Sequence, residues 1–435
     1  MKQGAAKKHL LMIVPFFPPS AGGGVHRPLS FVKYLERFGW RATVLSPRPD
    51  SYWIDDDTLV AEVPASCAVH RTDSLSGQFV LSRLRPKAPA RAQVRSSRRF
   101  AFLRRLGAWV LIPDTYVGWY PFAVREGRRL LARQEFDAIY STSPPETAHL
   151  VGRRLHGLSA LPWVADFRDP WMNLDLLPTP TPVHRWMHRR HERKVCTTAS
   201  VAVTSRWHER LLRERYADLK EIRLIPNGYD HEKFEALQCS VPATGKLQIL
   251  HAGMLTQKRS AVPFLRGLRA FLESHPGARE RCRVVFVGPR ESENDRYVDA
   301  LGLSAIVEFR DSVTHAESLK MERRSHILLL LKHVDPAYRG IVPGKLYEYL
   351  GARRPILALA PEGEAGDLIR RLGRGEVARQ EDEQEIAERI GRMYEKYLRG
   401  SLDRDYDLST IPDCTREGNA GKLADYLDHI TANRK

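Results

Sequence analysis

Short apolar runs, separated by amphipathic stretches long enough for helices, set the rhythm of the chain. They stand at 9–14 (HLLMIV), 42–46 (ATVLS), 137–142 (DAIYST), 162–167 (PWVADF) and 200–205 (SVAVTS). Runs of this length alternating with mixed-polarity segments predict a doubly wound α/β fold, a parallel sheet covered by helices on both faces. A second series follows IPNGYD at 225–230: LQILHA (247–252), RVVFVG (283–288), AIVEF (305–309), HILLLL (326–331) and PILALA (355–360). The chain therefore reads as two Rossmann-like halves. The turn-rich stretch 226–244 is the expected linker, and the cleft between the halves is where ligands of such folds sit. The boundaries read as 1–228 and 229–410, with a C-terminal helix in 411–435 packing back toward the first half. A length of 435 residues suits two domains of about 200 each.

Composition supports two cores, at 43% apolar and 28% charged residues. Lys and Arg outnumber Asp and Glu by 69 to 52, a formal charge of +17, which favours anionic partners: phosphates, nucleic acid or an acidic lipid surface. The five cysteines, at 67, 196, 239, 282 and 414, form no CxxC pair, so neither a disulfide framework nor a zinc site is indicated, and a reducing cytoplasm fits. The opening MKQGAAKKHLLMIVPFFPP reads as a first strand, because its apolar run stops at prolines without a cleavage-type pattern. No stretch reaches the roughly 18 to 20 apolar residues that a spanning helix requires, so membrane contact is expected to be peripheral.

Between Asp73 and Asp114 there is no acid, while Arg83, Arg85, Lys87, Arg91, Arg95, Arg98, Arg99, Arg104 and Arg105 accumulate. Phe100, Phe102, Leu103, Leu106, Trp109 and Val110 interleave with the last of these. That pattern suits an interfacial helix on an anionic membrane, or equally a helix packed on its own lobe with a solvated basic rim.

Three segments carry candidate chemistry. Gly22, Gly23 and Gly24 in FPPSAGGGVHRP sit in a strand-to-helix turn whose bare backbone can approach a substrate. Their spacing is neither GxGxxG nor a Walker loop, which disfavours nicotinamide and ATP sites. In HAGMLTQKRSAVPF, Gly253 ends a strand, and Lys258 with Arg259 precedes a helix, where paired cations can meet a diphosphate. In YRGIVPGKLYEYLGARRPILAL, a Gly-Pro-Gly region leads into a short helix carrying Lys345 and Glu348, then a buried strand. Asp55, Asp56 and Asp57 resemble a metal site superficially, but fall in an expected loop and read as a solvated acidic run.

At this last helix the chain resembles glycosyltransferase family 4. AGGGVHRPLSFVKYLERFGW resembles the family's N-terminal glycine loop and first helix, IYSTSPPETAHLVG its acceptor-lobe strand, loop and helix, and SVAVTSRWHERLL with IPNGYD its passage between lobes. The resemblance implies the GT-B fold, two Rossmann-like domains facing across a cleft, and a retaining transfer of sugar from a nucleotide-diphosphate donor to a glycan or lipid-linked acceptor in cell-surface polysaccharide synthesis. It implies donor contacts from Gly23, Gly24, Gly253, Gly344, Lys345, Leu346 and Glu348, with Glu348 on the ribose hydroxyls, and acceptor-side roles for Ser143 and His149. The family's paired glutamates stand eight apart, and here the first position is Gly340. In VADFRDPW, Arg168 and Asp169 occupy the place of a His-Asp pair near the reacting sugar. Arginine cannot serve as a general base, so Arg168 is assigned to donor phosphate or sugar and Asp169 to a polar role in the cleft, against the alternative of a structural pair. Arg168, Asp169, Lys258 and Arg259 form the expected catalytic set, with position and positive charge replacing a dedicated base. No cofactor and no essential metal are expected. The competing readings are a nucleotide-sugar-binding protein without catalysis, a basic nucleic-acid-binding protein, for which no reading motif is present, and a sugar-nucleotide epimerase, against which the ordered family-4-like segments count.

Overall fold

The computed structural model describes residues 7–49, 56–75, 111–172, 179–237, 245–256, 258–333 and 335–432. The chain divides into two compact units: unit 1 is Met1–Pro226 with Arg416–Lys435, and unit 2 is Asn227–Thr415. The basic segment 83–110, together with Asp55 and Cys239, lies outside the described residues.

Unit 1 is built on seven parallel strands: β1 Lys8–Ile13, β2 Trp40–Pro47, β3 Ala68–Thr72, β4 Ala138–Ser143, β5 Trp163–Phe167, β6 Ser200–Val203 and β7 Glu221–Leu224. Their order is β3-β2-β1-β4-β5-β6-β7. The helices are α1 His26–Tyr34, α2 Tyr120–Arg133, α3 Thr147–Ser159, α4 Pro182–Thr198 and α5 Arg206–Arg215, with the C-terminal helix Arg416–Ala432. Alternation within the first run explains the two layers. Leu10 and Met12 of β1 point into a core shared with α1 and the C-terminal helix, while Leu11 and Ile13 point into the opposite core with Trp119, Leu130 and Leu155. Ala420, Leu423, Ala424, Tyr426 and Leu427 seal the first layer, and Trp40 Nε1 donates to Asp428 at 3.0 Å.

Unit 2 repeats the plan with β8 Leu247–Ala252, β9 Cys282–Val287, β10 Val307–Arg310, β11 Ile327–Leu331, β12 Ile356–Leu359 and β13 Gly375–Ala378, ordered β10-β9-β8-β11-β12-β13 and again parallel. Its helices are α6 His231–Glu235, α7 Val262–Ser274, α8 Ser292–Ala300, α9 His315–Arg324, α10 Gly344–Ala352, α11 Glu364–Arg371 and α12 Glu383–Leu398. In each unit the strand order reverses beside a central strand, at β1/β4 and at β8/β11, and crevices outside the carboxyl ends of such strands are ligand sites.

Three strands lack a counterpart in the hydrophobic reading: β3 (AVHRT), β7 (EIRL) and β13 (GEVA). All three are sheet edges, where one side faces water and a continuous apolar run is not required. Two boundaries also shift. The first crossing falls at 226/227, and the second at 415/416 rather than 410/411, because residues 411–415 stay with unit 2 through a bridge from Tyr229 to Thr415. Asp56 is a cap: its Oδ1 accepts from the Thr58 amide at 3.0 Å and the Thr58 hydroxyl at 2.6 Å, starting the 3-10 turn Asp57–Glu62.

Candidate functional site

In unit 1 the glycine turn joins β1 to α1. Gly22 has φ 104°, a left-handed conformation that glycine adopts without strain. Gly23 is exposed with open space around it. Gly24 is required by Arg168, since a Cβ there would stand 2.7 Å from Arg168 Nη1. The Arg168 guanidinium is spent on three backbone carbonyls, of Ser143 through Nε at 3.0 Å, Pro144 and Gly24. The expected phosphate-holding arginine is therefore a clamp that ties the loop after β4 to the glycine turn. Asp169 follows it, half-buried, with burial raising its pKa and Arg168 opposing that rise.

Ser143 and His149, expected on the acceptor side, are both fully buried. His149 is fully buried, its Nδ1 2.8 Å from Ser141 Oγ and its ring 4.5 Å from Phe167. Burial lowers its pKa to about 3, so it is neutral. The cause is the register of α3, which turns Thr147, Ala148, His149, Val151 and Leu155 inward. Ser143 is equally buried, and its carbonyl serves Arg168.

Two features of unit 1 were missed in the sequence. Asp166 on β5 is fully buried and receives Arg27 Nε at 2.9 Å, Arg27 Nη2 at 2.7 Å, the Tyr140 hydroxyl at 2.6 Å and the Thr142 hydroxyl at 2.8 Å. Arg27 also donates to the carbonyls of Ile225 and Pro226, both at 2.8 Å. Burial pushes Asp166 up, but Arg27 and the hydroxyls outweigh it and keep the carboxyl below its ordinary range. The second feature is Glu146, buried at the entrance to α3. Burial first and Asp114 second push its pKa well above the ordinary carboxylate value, with Asp169 adding to the rise and Arg168 opposing it. The signal was present in SPPET, where an acid follows two prolines at a strand end.

In unit 2 the ends of β8 and β11 gather cations. Thr256 and Arg259 close a tight turn with reciprocal backbone hydrogen bonds at 3.1 and 2.9 Å, which presents Lys258 to solvent and leaves Arg259 half-buried. Arg259 Nε is buried without a hydrogen-bond partner, and burial lowers the pKa of the guanidinium. A desolvated cation of this kind is costly unless an anion arrives. Lys332 and His333 follow β11 directly. Burial lowers Lys332 to about 8, and His333 lies within electrostatic reach of Lys258, Arg259 and Lys332. The Gly253 amide is committed to the Val287 carbonyl at 2.8 Å, and the Gly253 carbonyl lies where a Cβ on Gly288 would stand, at 2.6 Å. Gly253 thus shapes the crossing of two strand ends and has no amide left for phosphate.

Glu348 sits on α10 one turn after Lys345. Its Oε2 lies 2.5 Å from Lys345 Nζ and its Oε1 3.0 Å from His315 Nε2. Burial pushes Glu348 up, but the His315 hydrogen bond and the Lys345 charge prevail and hold the carboxyl well below the usual range. Lys345 also reaches Glu322 Oε1 at 3.2 Å. Glu322, on α9, is fully buried, accepts the Ser318 hydroxyl at 3.1 Å and leaves Oε2 without a partner. Burial raises its pKa to about 7 despite Lys345. Glu322 was not singled out in the sequence, where THAESLKMERR reads as an ordinary charged helix. Gly344 is exposed at the start of α10. Leu346 belongs to the core, and its amide donates to the Pro343 carbonyl at 3.0 Å, so it offers a donor nothing. Among the described residues no group of three or more His, Cys, Asp or Glu is arranged to hold a metal.

The arrangement thus provides an ionised acceptor on α10, a set of cations at a topological switch point and, in the other unit, a glycine turn tied to Arg168 through the Gly24 carbonyl. Residues 22–228 match the family described as glycosyl transferase 4-like domain. None of the curated proteins matches the sequence. Over its length the chain is similar to a glycosyltransferase from Rickettsia africae, at 13% identity and TM-score 0.64 over 99% of this chain and 100% of that one. It is similar to Anabaena Alr3699/HepE in complex with UDP, at 14% identity and TM-score 0.55 over 98% of each chain. The apo lipopolysaccharide outer core galactosyltransferase WaaB aligns at 13% identity and TM-score 0.56, over 97% of this chain and 99% of that one.

Proposed function

We propose that this chain, whose residues 22–228 match the glycosyl transferase 4-like domain, is a GT-B glycosyltransferase of the family 4 type that moves a sugar from a nucleoside diphosphate onto a glycan or lipid-linked acceptor with retention of configuration. Cell-surface polysaccharide synthesis, at the inner face of the membrane, is the setting proposed for it. The observation that carries this reading is Arg259, a half-buried guanidinium whose Nε has no partner, among Lys258, Lys332 and His333 and in the same unit as an ionised Glu348. Glu348 accepts hydrogen bonds from the ribose hydroxyls, while Lys258 and Arg259 face the diphosphate.

As the bond from the sugar's anomeric carbon to the leaving phosphate breaks, negative charge grows on that phosphate and the cations stabilise it. The acceptor oxygen forms the new bond on the same face and passes its proton to the departing phosphate. No metal is needed for this scheme. HepE was crystallised with UDP, so uridine donors come first in a thermal-shift panel of UDP-, GDP-, ADP- and dTDP-sugars. A ligand at a hundred times its Kd stabilises the folded state by about 2.7 kcal/mol. One base should shift the melting temperature and the others should not. A flat panel at millimolar concentration would overturn the donor assignment, and binding without release of free nucleoside diphosphate in the presence of acceptor would overturn catalysis.

A further inference from the structure

Helix α4 (PVHRWMHRRHERKVCTT) buries one stripe, made of His184, His188, Glu192, Val195 and Cys196, against unit 1. Its outer face is unusual. Val183 and Trp186, three apart and so on one side, are 62% and 60% exposed. Arg185, Arg189 and Arg190 are exposed around them, and the Arg190 guanidinium lies 5.6 Å from the centroid of the Trp186 ring. Trp186, Arg185 and Arg189 line a shallow pocket with Thr179, Pro180, Thr181 and Pro182. The single acid of the helix, Glu192, is buried and hydrogen-bonded to Arg215 at 2.8 Å and the Tyr216 hydroxyl at 2.5 Å, and it reaches this face only through the charge of Arg189.

The placement of the charges is informative. There is no acid in the first turn of α4, and Arg185 stands there instead, where a cation opposes the helix dipole. Helix stability therefore does not account for this cation, nor does local ion pairing account for the face, since Arg193, further along, is the residue that meets Asp218 at 2.9 Å. Two bulky apolar side chains projecting through a ring of arginines match the headgroup boundary of an anionic bilayer, where apolar groups sink and guanidinium groups stay with lipid phosphates.

We propose that α4 docks unit 1 on an anionic membrane surface, with Val183 and Trp186 entering the interface and Arg185, Arg189 and Arg190 holding acidic headgroups. Nucleic acid is the weaker fit, because it would engage the arginines and leave Val183 in water. The inference gives purpose to the lipid-linked acceptor proposed above, but its evidence is independent of the donor site.

The experiment is vesicle co-sedimentation of the full chain, with phosphatidylcholine alone and with phosphatidylcholine containing phosphatidylglycerol, at low and high salt. Wild type should bind only the acidic vesicles and release them as salt rises. Val183→Ser/Trp186→Ser and Arg185→Ser/Arg189→Ser/Arg190→Ser should each weaken binding by roughly tenfold or more. Both variants should keep the wild-type melting temperature and any donor-induced shift, which separates failure of docking from failure of the enzymatic reading. Wild type that ignores acidic vesicles at low salt, or folded variants that bind them as wild type does, would overturn the proposal. So would variants that lose affinity for an oligonucleotide while keeping their affinity for vesicles.

Discussion

Replacing Lys345 by Met removes the cation that stands between two carboxylates, 3.2 Å from Glu322 and 2.5 Å from Glu348. Taking one partner from a buried ion pair costs about 3 to 5 kcal/mol, because the other charge is left in the interior. The cost should depend on pH in a specific direction. Glu322 already has its pKa raised from 4.5 to about 7. A raised folded-state pKa means that this group's contribution to stability is fully present below about pH 4.5 and is lost as pH rises through about 7, a swing on the order of 3 kcal/mol. Lys345 pulls that pKa down, so without it the carboxyl titrates higher and the variant keeps losing stability above pH 7, where the wild type has levelled off. Urea denaturation at pH 5.5 and pH 8.5 reads this out. Lys345→Met should destabilise at both pH values through the lost pair with Glu348, and should cost clearly more at pH 8.5, where Glu322 also ionises without its cation and the total reaches about 3 to 5 kcal/mol. Adding Glu322→Gln should recover part of the loss at pH 8.5 without restoring donor binding, since Glu348 still lacks its lysine. Equal destabilisation at both pH values would refute the assignment of a titrating, lysine-dependent Glu322.

Gly24→Ala forces a Cβ toward Arg168 Nη1, and the guanidinium is pinned by three carbonyls, so stability should fall by roughly 1 to 3 kcal/mol with loss of transfer; unchanged melting would show that the clamp can give way. Asp166→Asn leaves Arg27 buried without its anion and should lower stability by about 3 to 5 kcal/mol in chemical denaturation. Arg259→Ala should reduce turnover roughly tenfold or more while donor Kd changes little, and Lys258→Ala, at an exposed site, should reduce it less; equal losses in kcat and affinity would assign Arg259 to ground-state binding. Glu348→Ala should weaken donor binding about ten- to a hundredfold in a protein that stays folded, measured by the same thermal-shift panel.

How far the sequence carried differs between fold and site. Strands buried on both faces announce themselves as apolar runs, which is why β1, β4, β8 and β11 were legible and the edge strands β3, β7 and β13 were not. Candidate residues on loops and first turns, such as Gly23, Lys258, Arg259, Lys345 and Glu348, could be located in the fold by their position after a strand. What the sequence hid was commitment. Whether a polar group is free depends on partners distant in the chain: Arg168 on Gly24, Leu346 inside a core, and His149 turned inward by the register of α3. Arg27 and Asp166, 139 positions apart, give no local signal at all, and neither does Glu322 under Lys345.

The bridge between Tyr229 and Thr415, in which the Tyr229 amide donates to the Cys414 carbonyl at 2.9 Å, brings the two ends of unit 2 side by side. In the order of synthesis, unit 2 is an insertion. The ribosome makes all of it before supplying the helix Arg416–Ala432, whose Leu423, Tyr426 and Leu427 cover Leu10 and Trp40 in unit 1. The later half of the chain can therefore close its own sheet while the earlier half still lacks a wall. A chain stopped after Thr415 should be cut by protease within its first 226 residues and spared in the remainder; the reverse pattern of cleavage would contradict this order.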